Sequence, residues 1–295
     1  NGKDTFEMDN LQSVQIIRSP ASVLYGADAM GGAVVFQTKT ARDYVGSDSG
    51  TYFGVRTSAS DADDQLKAGA TAAVQNGDFG LIAQLTKRDF SEHQVNGTGS
   101  VNPEDGDTQG GLIKAFWDIS ANQSLAISFE SFEESRDFNL LTDLLGRNAA
   151  SVFSSLGFDE SERTRTGLEY NLLRTSGIFD DLQLLVNLQN TDSTQRTVQE
   201  RTSFSFVNPL NPRSFIGTAA IRDTTFGFEQ ETLAINLNLR KSIETDSLTH
   251  NFSYGFNFDE TETQRPRDRS DTEISSGSVS RAISAYPMAP AEVFP

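Results

Sequence analysis

The feature that most limits how this chain can fold is a series of long runs in which apolar and polar residues alternate. Period-two alternation is the mark of a strand with one face in an apolar medium. Nine such runs lie at roughly 51–60, 65–75, 79–90, 108–119, 124–137, 162–173, 182–203, 221–240 and 248–267. The second sets Leu66, Ala68, Ala70, Ala72 and Val74 against Lys67, Thr71 and Gln75. The fourth groups Ile113, Ala115, Trp117 and Ile119, and the seventh sets Leu182, Leu184, Val186 and Leu188 against Gln183, Asn187 and Gln189. In the eighth, Leu233, Ile235, Leu237 and Leu239 oppose Asn236, Asn238 and Arg240; in the ninth, Phe252, Tyr254, Phe256 and Phe258 oppose Asn251, Ser253 and Asn257. The phase of the eighth run shifts between Phe226 and Phe228 and Leu233, which predicts a bulge near Glu229 to Glu231.

The links sort by length. Asn76 to Asp78, Ser120 to Gln123, Arg174 to Asp181 and Lys241 to Ser247 are short. Those over residues 91–107, 138–161 and 204–220 are long, and Asp61 to Asp64 is the one short exception among them. Short and long ends alternate in outer-membrane barrels, whose turns are periplasmic and whose loops are extracellular. The expected class is therefore all-β: a transmembrane antiparallel barrel, of which about nine strands are present. A soluble β-sandwich also alternates, but its strands usually number about five or six residues.

Composition agrees with strands as the only route across a membrane, since no apolar run approaches the length of a spanning helix. The net charge of −17 disfavours nucleic acid as a partner. With no cysteine there is no disulfide framework and no thiolate metal site. Asn1 opens abruptly inside a recognisable unit with no secretion signal, so the chain reads as an internal piece.

A stretch from Ile16 to Lys39 reads as strand, helical turn, glycine turn, strand. Val14 to Arg18 is a strand that Ser19-Pro20 interrupts. Ala21 to Tyr25 forms a turn capped by Ser19 and ended by Gly26, and Ala33 to Thr38 resumes as a strand after Gly31-Gly32. It closely resembles the end of the plug domain of TonB-dependent outer-membrane receptors. Arg18, Pro20, Leu24-Tyr25-Gly26 and Gly31-Gly32-Ala33-Val34 match that family's motif in order and spacing, with Ser19 in place of a glycine and Gln15 in place of a common glutamate. The continuation through Phe36 to Lys39 and Tyr44-Val45 looks most like the haem and haemoglobin receptor branch.

The resemblance implies a division into the end of an α+β plug, residues 1–45, and the first part of a barrel, residues 46–295. It implies energised import across the outer membrane of a Gram-negative bacterium. A TonB-type energy-coupling protein and outer-membrane lipid would be partners, and haem or haemoglobin the ligand. An iron–siderophore complex is the alternative ligand, and a passive porin or adhesin the alternative class. It further implies that Arg18 pairs with glutamates of the barrel wall.

Within residues 138–161, Leu141, Leu144, Leu145, Ala149, Val152, Phe153 and Leu156 recur at helical spacing. This predicts a surface helix, with Leu144, Leu145 and Phe153 as candidate ligand contacts. His250 shares phase with Phe252 and should face the membrane boundary; His93 lies in a polar loop. Neither is expected to ligate haem iron. No catalytic residue, metal site or resident cofactor is expected, since no nucleophile elbow, phosphate loop or metal-spaced cluster occurs.

Overall fold

The computed structural model describes residues 6–18, 31–94, 101–145, 152–174, 177–206 and 215–281. The described chain is almost wholly antiparallel β. A two-stranded unit, β1 (Leu11–Ile17) and β2 (Ala33–Thr38), follows a 3₁₀ turn at Met8–Asn10. A four-residue helix α1 (Arg42–Val45) leads into one large sheet. That sheet contains β3 (Gly50–Ser60), β4 (Gln65–Asn76), β5 (Phe79–Ser91), β6 (Glu104–Ser120), β7 (Gln123–Asn139), β8 (Val152–Leu173), β9 (Asp181–Phe206) and β10 (Phe215–Glu244). Each is paired to the next. A second short helix, α2 (Thr142–Leu145), lies between β7 and β8.

Beyond β10 the edge is shared. β11 (Thr249–Gln264) pairs with residues 229–244 of β10, and β12 (Arg267–Glu273) pairs with residues 220–226. These are two halves of one line broken at Pro266, which has no N–H to donate to the ladder. Its carbonyl still accepts from the Gly227 N–H at 2.8 Å. A turn then leads to β13 (Val279–Arg281), which pairs with β12.

The nine expected strands are all present, and most run further than the alternation showed. From β3 to β10 they lengthen from 11 to 30 residues. Short turns gather at one end of the sheet, so the added length accumulates at the end of the longer links. A bilayer strand needs about 9–11 residues, so β8, β9 and β10 carry a second storey above any membrane band.

Four expectations are corrected. Among the described residues the helical stripe over residues 138–161 is α2 alone, because Val152, Phe153 and Leu156 belong to β8; Ala149 lies outside the described residues. There Val152 pairs with Arg201 and Leu156 with Val198, and the long β9 supplies a ladder that outweighs the helical spacing. The bulge near Glu229 to Glu231 is absent, since β10 and β9 keep one register from Phe215–Phe206 to Arg240–Asp181. Residues 104–107, 204–206 and 215–220, expected in loops, are strand. The ninth run does not end at residue 267 but continues as β12 to Glu273.

Register decides which side chains share a face. The row Ala115–Ile127–Leu168–Val186–Ile235–Phe258 crosses six strands without interruption. Rows two residues away bring Trp117 beside Leu125 and Leu237 beside Phe256. Strand side chains alternate between faces, so the apolar sets expected from sequence lie on one common face. That face is open: Leu85 is 69% exposed, Ile113 53% and Phe256 59%. The buried apolar core is small by comparison, Ala41, Ala73 and Ile82 with Tyr44 and Val45 against them, and it lies on the opposite face.

The glycine pair before β2 has a geometric reason. Gly32 has φ +138°, and a Cβ there would stand 2.3 Å from the Ile17 carbonyl oxygen across the β1–β2 ladder. A Gly32→Ala change should cost about 1–3 kcal/mol in backbone strain. Faster proteolysis within residues 6–45 is the expected readout, with the large sheet as resistant as before.

Candidate functional site

The face opposite the apolar rows is polar, and the β1–β2 unit with its flanking segments is seated on it. The contact is built from groups with no apolar periodicity. Glu7 caps the 3₁₀ turn, its Oε1 accepting from the Asp9 N–H at 3.2 Å. Its side chain is 1% exposed and meets Lys67 Nζ of β4 at 3.0 Å and an Arg88 Nη of β5 at 3.3 Å. Lys67 also reaches Asp9 at 2.8 Å. Burial pushes the Asp9 carboxyl up; the Lys67 hydrogen bond and charge, with Arg56 and Lys39, outweigh it and hold the group below its ordinary range.

Glycine makes room for this clamp. A Cβ on Gly110 of β6 would lie 2.7 Å from the Glu7 Cβ, so only glycine lets the segment approach the sheet there. Beside it, Asn10 Nδ2 donates to the Gly111 carbonyl at 3.3 Å.

Lower on the same face, Lys114 Nζ donates to Thr38 Oγ1 at 3.1 Å, and Gln84 Nε2 to the Tyr44 hydroxyl at 2.9 Å. Arg42 of α1 forms an ion pair with Asp118 of β6 and lies over the Phe116 ring at 4.4 Å. Asp43 ties the unit together: its Oδ2 accepts from the Thr40 N–H and its Oδ1 from Gln12 Nε2, each at 2.6 Å. The arrangement is a polar seat, with charge-assisted bonds at both ends and a small apolar contact between them.

The positions singled out by sequence fall as follows. Arg18 follows β1, is exposed, and makes no ion pair among the described residues. Gly31 and Gly32 are at the turn into β2. Pro20, Leu24, Tyr25 and Gly26 lie outside the described residues. Leu144 is half-buried in α2, Leu145 is the last described residue of that helix, and Phe153 is 58% exposed on β8. His250 pairs with Ile243 at the strand edge, its ring 6.3 Å from Phe252 on the apolar side. His93 is exposed near Asp63, at 3.9 Å.

Sequence reasoning missed Glu7, Lys67, Arg88, Arg42 and Asp118. The available signal was charge at positions of the polar phase: Lys67, Arg88 and Asp118 sit within runs whose other phase is apolar. A further cluster on the same face joins Glu130 of β7 to Arg163 at 3.4 Å and Arg165 at 3.6 Å.

No protein-family model matches the chain. The haemoglobin and haemoglobin-haptoglobin-binding protein of Haemophilus ducreyi is 28% identical over 209 residues, covering 64% of this chain and 21% of that protein. The hemin receptor of Yersinia pestis is 29% identical over 126 residues, covering 42% of this chain and 18% of that receptor. The chain thus spans about a fifth of the length of these relatives, which are named as receptors and binding proteins rather than enzymes. Among solved structures, the haemophore receptor HasR of Serratia marcescens, with its haemophore HasA and heme, aligns over 89% of this chain and 48% of its own at TM-score 0.48 and 12% identity. The chain is similar to the TonB-dependent outer-membrane receptors, and among them to the receptors for haem and haemoglobin.

Proposed function

We propose that the chain is the plug end, residues 1–45, and the first part of the barrel, residues 46–295, of an outer-membrane receptor that imports haem, free or taken from haemoglobin. One observation carries the reading: a β1–β2 unit with a plug-like motif rests on the polar face of a sheet whose other face carries an apolar row unbroken across six strands. A polar inner wall holding a plug and an apolar outer wall in lipid is the division a gated barrel requires. The names of the relatives supply the ligand class.

On this reading the chain is not an enzyme. Its seat is released when a periplasmic TonB-type protein pulls the plug, and ion pairs at a polar interface can be exchanged for water in a way that a large apolar contact cannot. The Glu7–Lys67–Arg88 clamp is the contact to be broken. Arg18 takes a wall partner outside the described residues, and α2 with Phe153 lies on the extracellular side, within reach of a protein ligand.

The test is growth of a strain lacking the full-length gene on haemin or haemoglobin as sole iron source. Loss of growth on both, restored by the gene only when the energy-coupling protein is present, is the expected result. Normal growth on haem with loss on a siderophore would replace the ligand.

A further inference from the structure

The upper storey of β9, β10 and β12 carries charge of opposite sign on its two faces. On the face that continues the apolar rows, Glu133, Glu162, Asp192 and Glu229 stand directly opposite one another across β7 to β10. Like charges in cross-strand register destabilise a sheet. On the other face, which continues the plug seat, register places Arg201, Arg222, Arg269 and Arg267 together with Phe226 and Phe228. In a chain of net charge −17 this is a local reversal.

The absence of a bulge in β10 gives the two phenylalanines their side. They occupy the phase of Asn236 and Asn238, not that of Ile235 and Leu237. Each ring has a guanidinium above it, Arg267 over Phe226 at 4.6 Å and Arg265 over Phe228 at 5.6 Å. Phe226 is 42% exposed, and Arg265 and Arg267 are exposed and form no ion pair among the described residues. Beside them Arg222 and Arg269 share Asp271, at 2.7 and 3.2 Å. The Nε atoms of Arg201 and Arg269 are buried without a hydrogen-bond partner. Guanidinium donors are thus in excess of the carboxylates that face them.

We propose that this patch is a way-station on the inner wall for a planar aromatic dicarboxylate, Phe226 and Phe228 stacking on the ring system while Arg265 and Arg267 take its carboxylates. The inference rests on the haem reading above and adds a place where the ligand is held before it reaches the plug. Two rings two residues apart on a strand are about 7 Å from one another, and they present an apolar strip edged by cations. Guanidinium fits carboxylate by paired N–H donation and also stacks on aromatic planes. The acidic row on the far face would repel the same ligand, leaving the inner face as the side that admits it.

The experiment is an absorbance titration of the detergent-purified full-length receptor with haemin and, separately, with haemin dimethyl ester, which lacks the free carboxylates. The variants are Arg265→Gln with Arg267→Gln, and Phe226→Leu. All three positions are solvent-accessible, so the fold should survive, and the unfolding temperature of each variant checks this. The double arginine variant should bind haemin at least about tenfold more weakly, the loss of one charged hydrogen bond. The bound haem spectrum should not change, because no iron ligand is removed. The ester should bind the unmutated receptor and the double variant alike. Phe226→Leu should weaken both ligands. Unchanged haemin affinity in the double variant would overturn the proposal, and so would an equal loss for haemin and ester. Failure of the unmutated receptor to bind haemin would instead overturn the haem reading on which the proposal stands.

Discussion

Replacing Glu7 by alanine should release the β1–β2 unit from the sheet. The carboxylate is buried between Lys67 and Arg88, and its removal leaves Arg88 without its carboxylate and Lys67 with Asp9 alone. Breaking a buried pair from one side costs about 3–5 kcal/mol, a large share of what a contact with so small an apolar core can supply. Limited proteolysis of the full-length receptor should then cut within residues 6–45, while the strands from β3 onward keep their protection. Glu7→Gln should fall between, since the amide keeps a hydrogen-bond acceptor but loses the charge. Acid should act in the same direction. Asp9 shares Lys67 and has its carboxyl held below the ordinary range, so its contribution is complete above the unfolded-state value and lost as pH falls through the depressed one. Protection unchanged in Glu7→Ala would show that the unit is held by something else.

The second large effect concerns the apolar rows. Ile235 lies mid-row between Val186 and Phe258. In the full-length receptor, Ile235→Arg should cost about 2–4 kcal/mol at the bilayer midplane. Asn236→Arg, one residue along and on the polar face, should be far milder. Unfolding of receptor reconstituted in lipid vesicles measures both. Equal costs would mean that the two faces are not divided between lipid and lumen.

The parts of the fold that could be read in advance share a physical cause. Alternation is visible where one face is apolar and the other polar, as from Leu182 to Leu188 and from Phe252 to Phe258, and there strand and face followed from sequence, while the register is set by the pairing. Higher up, Glu104, Asp105, Gly106 and Asp107 offer no apolar phase, so that stretch looked like loop although it is strand. The phase break at Phe226 and Phe228 invited a bulge because it was assumed that a phenylalanine must share the apolar face. Above the band that constraint lapses, and a cation on each ring serves instead. Over residues 141–156, leucine spacing pointed to a helix, but pairing of β8 with β9 is a long-range contact that local spacing does not encode.

The seat of the β1–β2 unit was hidden for a similar reason. Glu7 belongs to no periodic run, and its partners come 60 and 81 residues later. The resemblance drew attention to Arg18, which follows β1 and is exposed, whereas Glu7, Asp9 and Arg42 supply the ion pairs that hold the unit to the sheet. Gly32 could be anticipated as a turn glycine, while Gly110 could not, since its role is to lie beneath a residue more than a hundred positions earlier.

The central claim is that one face of the sheet meets lipid while the other lines the lumen and holds the β1–β2 unit. These 295 residues contain no cysteine, so in a full-length receptor with any cysteine elsewhere replaced, single cysteines can be placed one at a time along β9, from Gln183 to Gln189, and labelled in lipid vesicles. The account predicts a period of two: labels at 184, 186 and 188 are quenched by a lipid-soluble quencher, and those at 183, 187 and 189 by a water-soluble one. The opposite phase, or no alternation, would contradict it.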